Sequence, residues 1–190
     1  MERYEYEPKF PMSHPVDERV KDFISRFYAI SDDASKDEQW VDCFSFRAHV
    51  VMGEKSAVGT KSIRALRKGM WEKVLARKHQ LLRVYPATFY PASSYVDSPP
   101  PAAEYMIEGE VSTIGWRNLA CKEMSWAAHA VLVEEQGQLK YRFYQVYLNK
   151  KCGTYLDVSL GDRLRVLAGR WLGPFLLLVV MDVMYRMFLA

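Results

Sequence analysis

Cysteine is scarce. Cys43, Cys121 and Cys152 are odd in number and too widely spaced for a disulfide framework or a paired-cysteine metal site. They read as buried or incidental thiols, and a reducing cytoplasm is the default compartment. A surplus of one charge is missing too. The chain has 26 basic and 23 acidic side chains, of which six basic and three acidic fall from Lys150 onward, leaving twenty of each sign in 1–149. A neutral domain excludes a phosphate-tracking surface, so no nucleic acid is expected as a partner. There is no glycine-rich phosphate loop, His/Glu metal motif, serine-nucleophile elbow or internal repeat. No metal or other cofactor is expected. The opening MERYEYEPKF lacks an apolar core and does not read as a secretory signal.

Aromatics are plentiful. Twelve Tyr and five Trp suggest a core or cavity with polar-tipped walls, because their OH and NH groups need partners when buried. Residues 1–14, with Pro8 and Pro11, read as an extended arm. Apolar residues from Val16 to Tyr28 recur at helical spacing and predict a helix over 15–30. Ser31-Asp32-Asp33 ends it, and Asp37 can cap a short second helix that turns Trp40, Val41 and Phe44 inward. Phe46–Val51 and Ala57-Val58 are strand candidates around a turn at Gly53-Glu54-Lys55. Thr60 can cap a third helix over 61–75, with Arg64, Arg67, Lys68 and Lys73 outside its apolar face, as a solvated basic surface or an anion site. Lys78–Tyr85 is a strand whose alternation puts His79, Leu81, Arg83 and Tyr85 on one face. Residues 86–103, rich in proline, read as a lid or an insertion. Three long strands follow, Tyr105–Thr113, Ala120–Glu135 and Leu139–Leu148. The order predicts an α+β domain over 15–149, in which a curved, mainly antiparallel sheet wraps around about three helices.

The tail 150–190 is a basic linker and an apolar stretch. From Trp171 the run is long enough to cross a bilayer, with Arg163, Arg165 and Arg170 before it and Asp182 and Arg186 within it. Three readings stand: a membrane anchor through 171–190, a helix packed on the domain or its mate, or an extension introduced by the gene model.

The segments Val50-Val51-Met52-Gly53, Gly59 with Ile63 and Leu66-Arg67-Lys68-Gly69-Met70-Trp71, Arg77-Lys78-His79, Val84-Tyr85-Pro86, Trp126-Ala127-Ala128 and Phe143-Tyr144-Gln145-Val146-Tyr147-Leu148 together resemble the SnoaL-like proteins. These belong to the nuclear transport factor 2-like superfamily, and the chain looks more like the type found widely in filamentous fungi than like the superfamily at large. The resemblance covers about 16–149. It implies a cone-shaped fold, a pocket between helices and sheet for a hydrophobic small molecule, and a homodimer through the sheet. It does not imply one reaction, since members include cyclases, isomerases and dehydratases. Arg47 and Ser125 stand where family members usually carry an acid.

A pocket enzyme without a cofactor needs a proton-transfer group near working pH and a polar partner to orient the substrate. His79 is the best candidate for the acid/base. Tyr85 is placed to donate to a carbonyl or enolate oxygen, with Gln145 and Tyr147 on the last strand as substrate-binding residues beside Tyr141 and Phe143. Trp40, Trp71, Tyr105 and Trp126 are candidates for an aromatic wall. The competing reading makes His79 structural and each aromatic part of the core. The expected function is an isomerase, cyclase or dehydratase acting on an oxygenated metabolite such as a polyketide or terpenoid. The alternative is a non-catalytic binding or dimerisation module, tethered to a membrane by its tail.

Overall fold

The computed structural model describes residues 6–12, 15–87, 103–116 and 121–149. Residues 88–102 of the proline-rich segment and the apolar tail of the preceding section, with His14 and Cys152, lie outside them. Three helices, α1 (Glu18–Ser31), α2 (Asp37–Asp42) and α3 (Gly59–Trp71), accompany six strands: β1 (Phe44–Met52), β2 (Lys55–Val58), β3 (Val74–Pro86), β4 (Ala103–Gly115), β5 (Cys121–Glu135) and β6 (Gln138–Leu148). They form one sheet in the order β2-β1-β6-β5-β4-β3. Every pairing is antiparallel except β1 with β6, so the sheet is mixed, and the fold is the expected α+β arrangement.

Local chemistry explains the helix ends. Asp17 caps α1 through the amide of Arg19 at 2.9 Å. Thr60 does not cap α3. That helix starts two residues earlier, after Val58, with no side-chain cap, because Gly59 takes a φ of +75° and turns the chain directly out of β2. Likewise Lys36, not Asp37, stands at the cap position of α2.

The core fills the space between α1, α2 and the inner face of the sheet. Phe27 meets Tyr28, Phe44, Tyr141 and Tyr144 edge-on with ring centres 4.8–5.8 Å apart, the preferred geometry for aromatic pairs. Cys43 is buried among them, and burial pushes its thiol up to about 11. It is therefore unreactive at neutral pH.

Two β-bulges change which residues face this core. Opposite β4, Leu81 pairs with Gly109 and Arg83 with Glu108, so Leu82 is an extra residue. Leu81 and Val84 are consequently both buried, while Tyr85 turns to the outer face and is 40% exposed. The strict alternation that put Tyr85 beside His79 fails at this point. In β6 Arg142 is the extra residue: Tyr141 and Tyr144 both point inward, and Phe143, Gln145 and Tyr147 point outward.

Candidate active site

The end of α1 packs against the first half of β3, and this contact assembles the site. Asp32, the C-cap of α1, is 3% exposed. Its Oδ1 accepts from Nδ1 of His79 at 2.5 Å, and its Oδ2 accepts from the His79 backbone amide at 2.7 Å and from the Tyr6 hydroxyl at 3.0 Å. A carboxylate can only accept, so Nδ1 of His79 carries its proton. The opposite nitrogen, Nε2, then presents a lone pair and makes no hydrogen bond among the described residues. The imidazole sits edge-on to Tyr28 at 5.2 Å and to Trp126 at 5.6 Å, and its side chain is 15% exposed. Gly109 makes room for this arrangement. A Cβ there would come within 2.4 Å of the Gln80 carbonyl and 2.6 Å of the Trp126 ring, so only glycine lets the indole lie across β4 toward His79.

Burial drives the His79 pKa below its ordinary value. Asp32 pulls it back up, but Arg77 and Arg67 add to the lowering, and the net direction is down. Burial would raise the Asp32 carboxyl, yet the hydrogen bonds and charge of His79, with Arg77 nearby, hold it below its usual range. The resting pair at neutral pH is thus a carboxylate and a neutral imidazole. That is the state of a general base oriented by an acid.

Two buried arginines stand behind the pair. Arg67, fully buried, donates to Asp37 at 2.8 Å and to the carbonyls of Ser31, Ile30 and Asp33 at 2.9, 3.4 and 2.7 Å. Its guanidinium lies between Trp40 and Trp71, 5.3 and 5.2 Å from their ring centres. It ties the three carbonyls around the end of α1 and so fixes the turn that presents Asp32. The expected solvated role does not apply to Arg67. It falls within the stripe of Ile63, Leu66 and Met70, which the spacing alone could have revealed. Arg77 donates to the Ser31 carbonyl, lies 4.6 Å from the Trp71 ring and 3.5 Å from Asp32, and is pushed down to about 10 by burial. Among the described residues its Nε has no hydrogen-bond partner, and neither have Trp71 Nε1, Trp126 Nε1 and the Tyr141 hydroxyl.

Comparison with solved structures identifies the architecture. A protein named as a scytalone dehydratase, from Novosphingobium aromaticivorans DSM 12444, superposes with a TM-score of 0.60 at 9% identity, over 73% of this chain and 87% of that one. A hexachlorocyclohexane dehydrochlorinase, LinA-type3 from Novosphingobium barchaimii LL02, gives 0.60 at 10% identity, over 75% and 90%. Nuclear transport factor 2 from Cryptosporidium parvum gives 0.54 at 11% identity, over 70% and 94%. This chain has the nuclear transport factor 2-like fold, as SnoaL-like proteins do. No protein-family model and no curated protein sequence matches it.

Within this nuclear transport factor 2-like fold the sequence candidates separate. His79 and Trp126 come together; Trp71 joins them through Arg77. Trp40 is core, its Nε1 donating to Ser31 Oγ at 2.9 Å. Tyr105 is buried on the inner face. Tyr85, Gln145 and Tyr147 lie on the outer face, away from His79. Arg47 and Ser125 are exposed, and Ser125 also faces outward, so the acids missing at those positions do not enter the His79 surroundings. Asp32, Tyr6, Arg67 and Arg77 were not anticipated as site residues. A groove of about 520 Å³ has Leu82, Glu108, Gly109, Ser125, Trp126 and Tyr147 in its lining, so it shares Gly109 and Trp126 with the His79 surroundings, and another of about 530 Å³ lies by Phe46, Thr60 and Gln136. Among the described residues no group of His, Cys, Asp and Glu could hold a metal ion, and no helix is long and apolar enough to cross a membrane.

Proposed function

We propose that this protein is an acid–base enzyme. It takes a proton from carbon next to a carbonyl in a hydrophobic, oxygenated small molecule, and the outcome is dehydration, isomerisation or cyclisation. One observation carries this: His79 is held by Asp32 through Nδ1, so that a neutral imidazole offers an unengaged Nε2 among Tyr28 and Trp126. Removal of the substrate proton by Nε2 would form an imidazolium stabilised by the adjacent carboxylate. For a dehydration, the same imidazolium would return the proton to the departing hydroxyl, leaving water and a new double bond. Trp126 Nε1, without a partner among the described residues, is a donor for a substrate oxygen in the same neighbourhood. The names of two structural neighbours, a dehydratase and a dehydrochlorinase, both describe eliminations, which begin or end with such a proton transfer. Tyr85, Gln145 and Tyr147 fit a different role, as part of an outer-face surface where two copies meet.

The test uses a panel of cyclic β-hydroxy ketones in deuterated water. Mass spectrometry should show loss of water or deuterium exchange at the carbon next to the carbonyl. His79→Gln should abolish the signal and keep the circular dichroism spectrum. Exchange that survives in His79→Gln at the native rate would remove the dyad from the chemistry.

A further inference from the structure

The N-terminal arm expected from Pro8 and Pro11 is extended, but it is also part of the site. Lys9 adds to the free edge of β3: its amide donates to the Leu82 carbonyl at 3.0 Å, and its carbonyl accepts from the Val84 amide at 3.0 Å. The two bonds flank Arg83, immediately after the extra residue Leu82. Ser25 Oγ of α1 donates to the Tyr6 carbonyl at 2.7 Å, and Phe10 packs against the core with Lys21 Nζ 5.5 Å from its ring centre. These ties bury Tyr6 and deliver its hydroxyl to Asp32 Oδ2. From the other side Lys78 Nζ donates to the same hydroxyl oxygen at 3.0 Å and lies 4.1 Å from the ring centre.

We infer that Tyr6 is a positioning residue for the His79–Asp32 pair, and that Lys78 strengthens it by polarising its hydroxyl. A hydroxyl whose oxygen accepts from an ammonium is a stronger donor through its own hydrogen. Its hydrogen bond draws charge from Oδ2, so less is available to hold a proton on His79 through Oδ1. With the backbone amide of His79 on the same oxygen, it also fixes the carboxylate plane. The arm thereby sets how basic Nε2 is. Other charged and titratable groups near the pair are Arg77 on β3, Arg67 on α3, Tyr28 on α1 and Tyr144 on β6. Tyr28 and Tyr144 share one hydrogen bond with each other at 2.9 Å, in which either hydroxyl can be the donor, and burial raises both far from neutrality. Neither duplicates Tyr6. The consequence for turnover rests on the acid–base reading above; the effect on His79 does not.

The experiment follows the His79 imidazole by nitrogen-15 NMR across pH in the full chain, with the resonance assigned by its loss in His79→Gln. In Tyr6→Phe the ring packing is kept and the donor is gone. The midpoint of His79 should rise by about 0.5 to 1 pH unit. Lys78→Gln should move it in the same direction by less. Ser25→Ala, which loosens the arm without touching Asp32, should give a partial rise. An unmoved midpoint in Tyr6→Phe, even with a lower melting temperature, would show that the arm only packs and would overturn the inference. A shift in Lys78→Gln without one in Tyr6→Phe would also overturn it, by showing a through-space charge effect. If Tyr6→Phe does not fold, an unmoved midpoint in Ser25→Ala with the arm demonstrably released serves the same purpose. A rise in all three variants with no proton transfer to any substrate would leave Tyr6 in place and dismiss the enzymatic reading alone.

Discussion

His79 meets Asp32 on the inner face of the sheet, and His129 meets Glu104 on the outer face. Each pair joins an imidazole to a largely buried carboxylate. The inner histidine uses Nδ1, so its free nitrogen is at the tip of the ring. The outer one uses Nε2, so the tip is already spent and the remaining nitrogen lies next to its own backbone. The inner acid comes from a helix end 47 residues away in sequence and collects two further donors. The outer acid comes from the adjacent strand, with Phe143 against the ring at 5.3 Å. Pairing a histidine with an acid is therefore not enough to make a base. Which nitrogen is engaged, and which element brings the acid, decide what is left to react.

The largest effect should come from the inner face's support. Arg67→Met leaves three carbonyls and Asp37 without their donor, and urea denaturation should show a loss of about 3 to 5 kcal/mol; a loss below 1 kcal/mol would mean that the turn presenting Asp32 holds itself. Next, His79→Ala should cut turnover at least about a hundredfold with the fold intact, whereas His129→Ala should stay within about twofold. Equal losses in the two variants would erase the distinction between the faces. Gly109→Ala should cost about 1 to 3 kcal/mol by driving the Trp126 indole off β4, which tryptophan fluorescence can follow.

A gentler effect is in pH. The folded pKa of His79 is below its ordinary 6.5, so near and below that value the unfolded chain binds more protons. Stability should be fully present above pH 6.5 and decline as pH falls below it, and His79→Gln should flatten the slope. A slope unchanged in that variant would assign it to other groups. Smallest of all, Arg47→Ala and Ser125→Ala on exposed positions should change stability by no more than about 0.5 kcal/mol.

The strands and helices were legible as elements because their periodicities persist over most of their length, even where an extra residue breaks the alternation in β3 and β6. His79 was legible as a lone histidine on a strand. Asp32 was not, because an acid after a helix reads as a stop signal, and only the packing of α1 on β3 brings it to His79. Tyr6 was hidden by the prolines around it, which describe the path of the arm and not its destination. Tyr85 and Tyr147 were read onto the wrong surface because alternation assumes a strand without extra residues. Arg67 was read by its charge when its spacing told more. In each case local pattern was right about the backbone and silent about long-range partners.

The extra residue at Leu82 also decides which side chains one strand lends to each surface. Before it, β3 contributes Arg77, His79 and Leu81 to the interior; after it, the same strand shows Arg83 and Tyr85 to the exterior. Within one continuous stretch of thirteen residues the odd-numbered side chains thus change faces at a single position, and Val84 takes the inward place beyond it. Substitutions beyond the slip can remodel the exterior without disturbing the reactive imidazole. Deleting Leu82 would join the halves again and exchange the two surfaces' residues at one stroke.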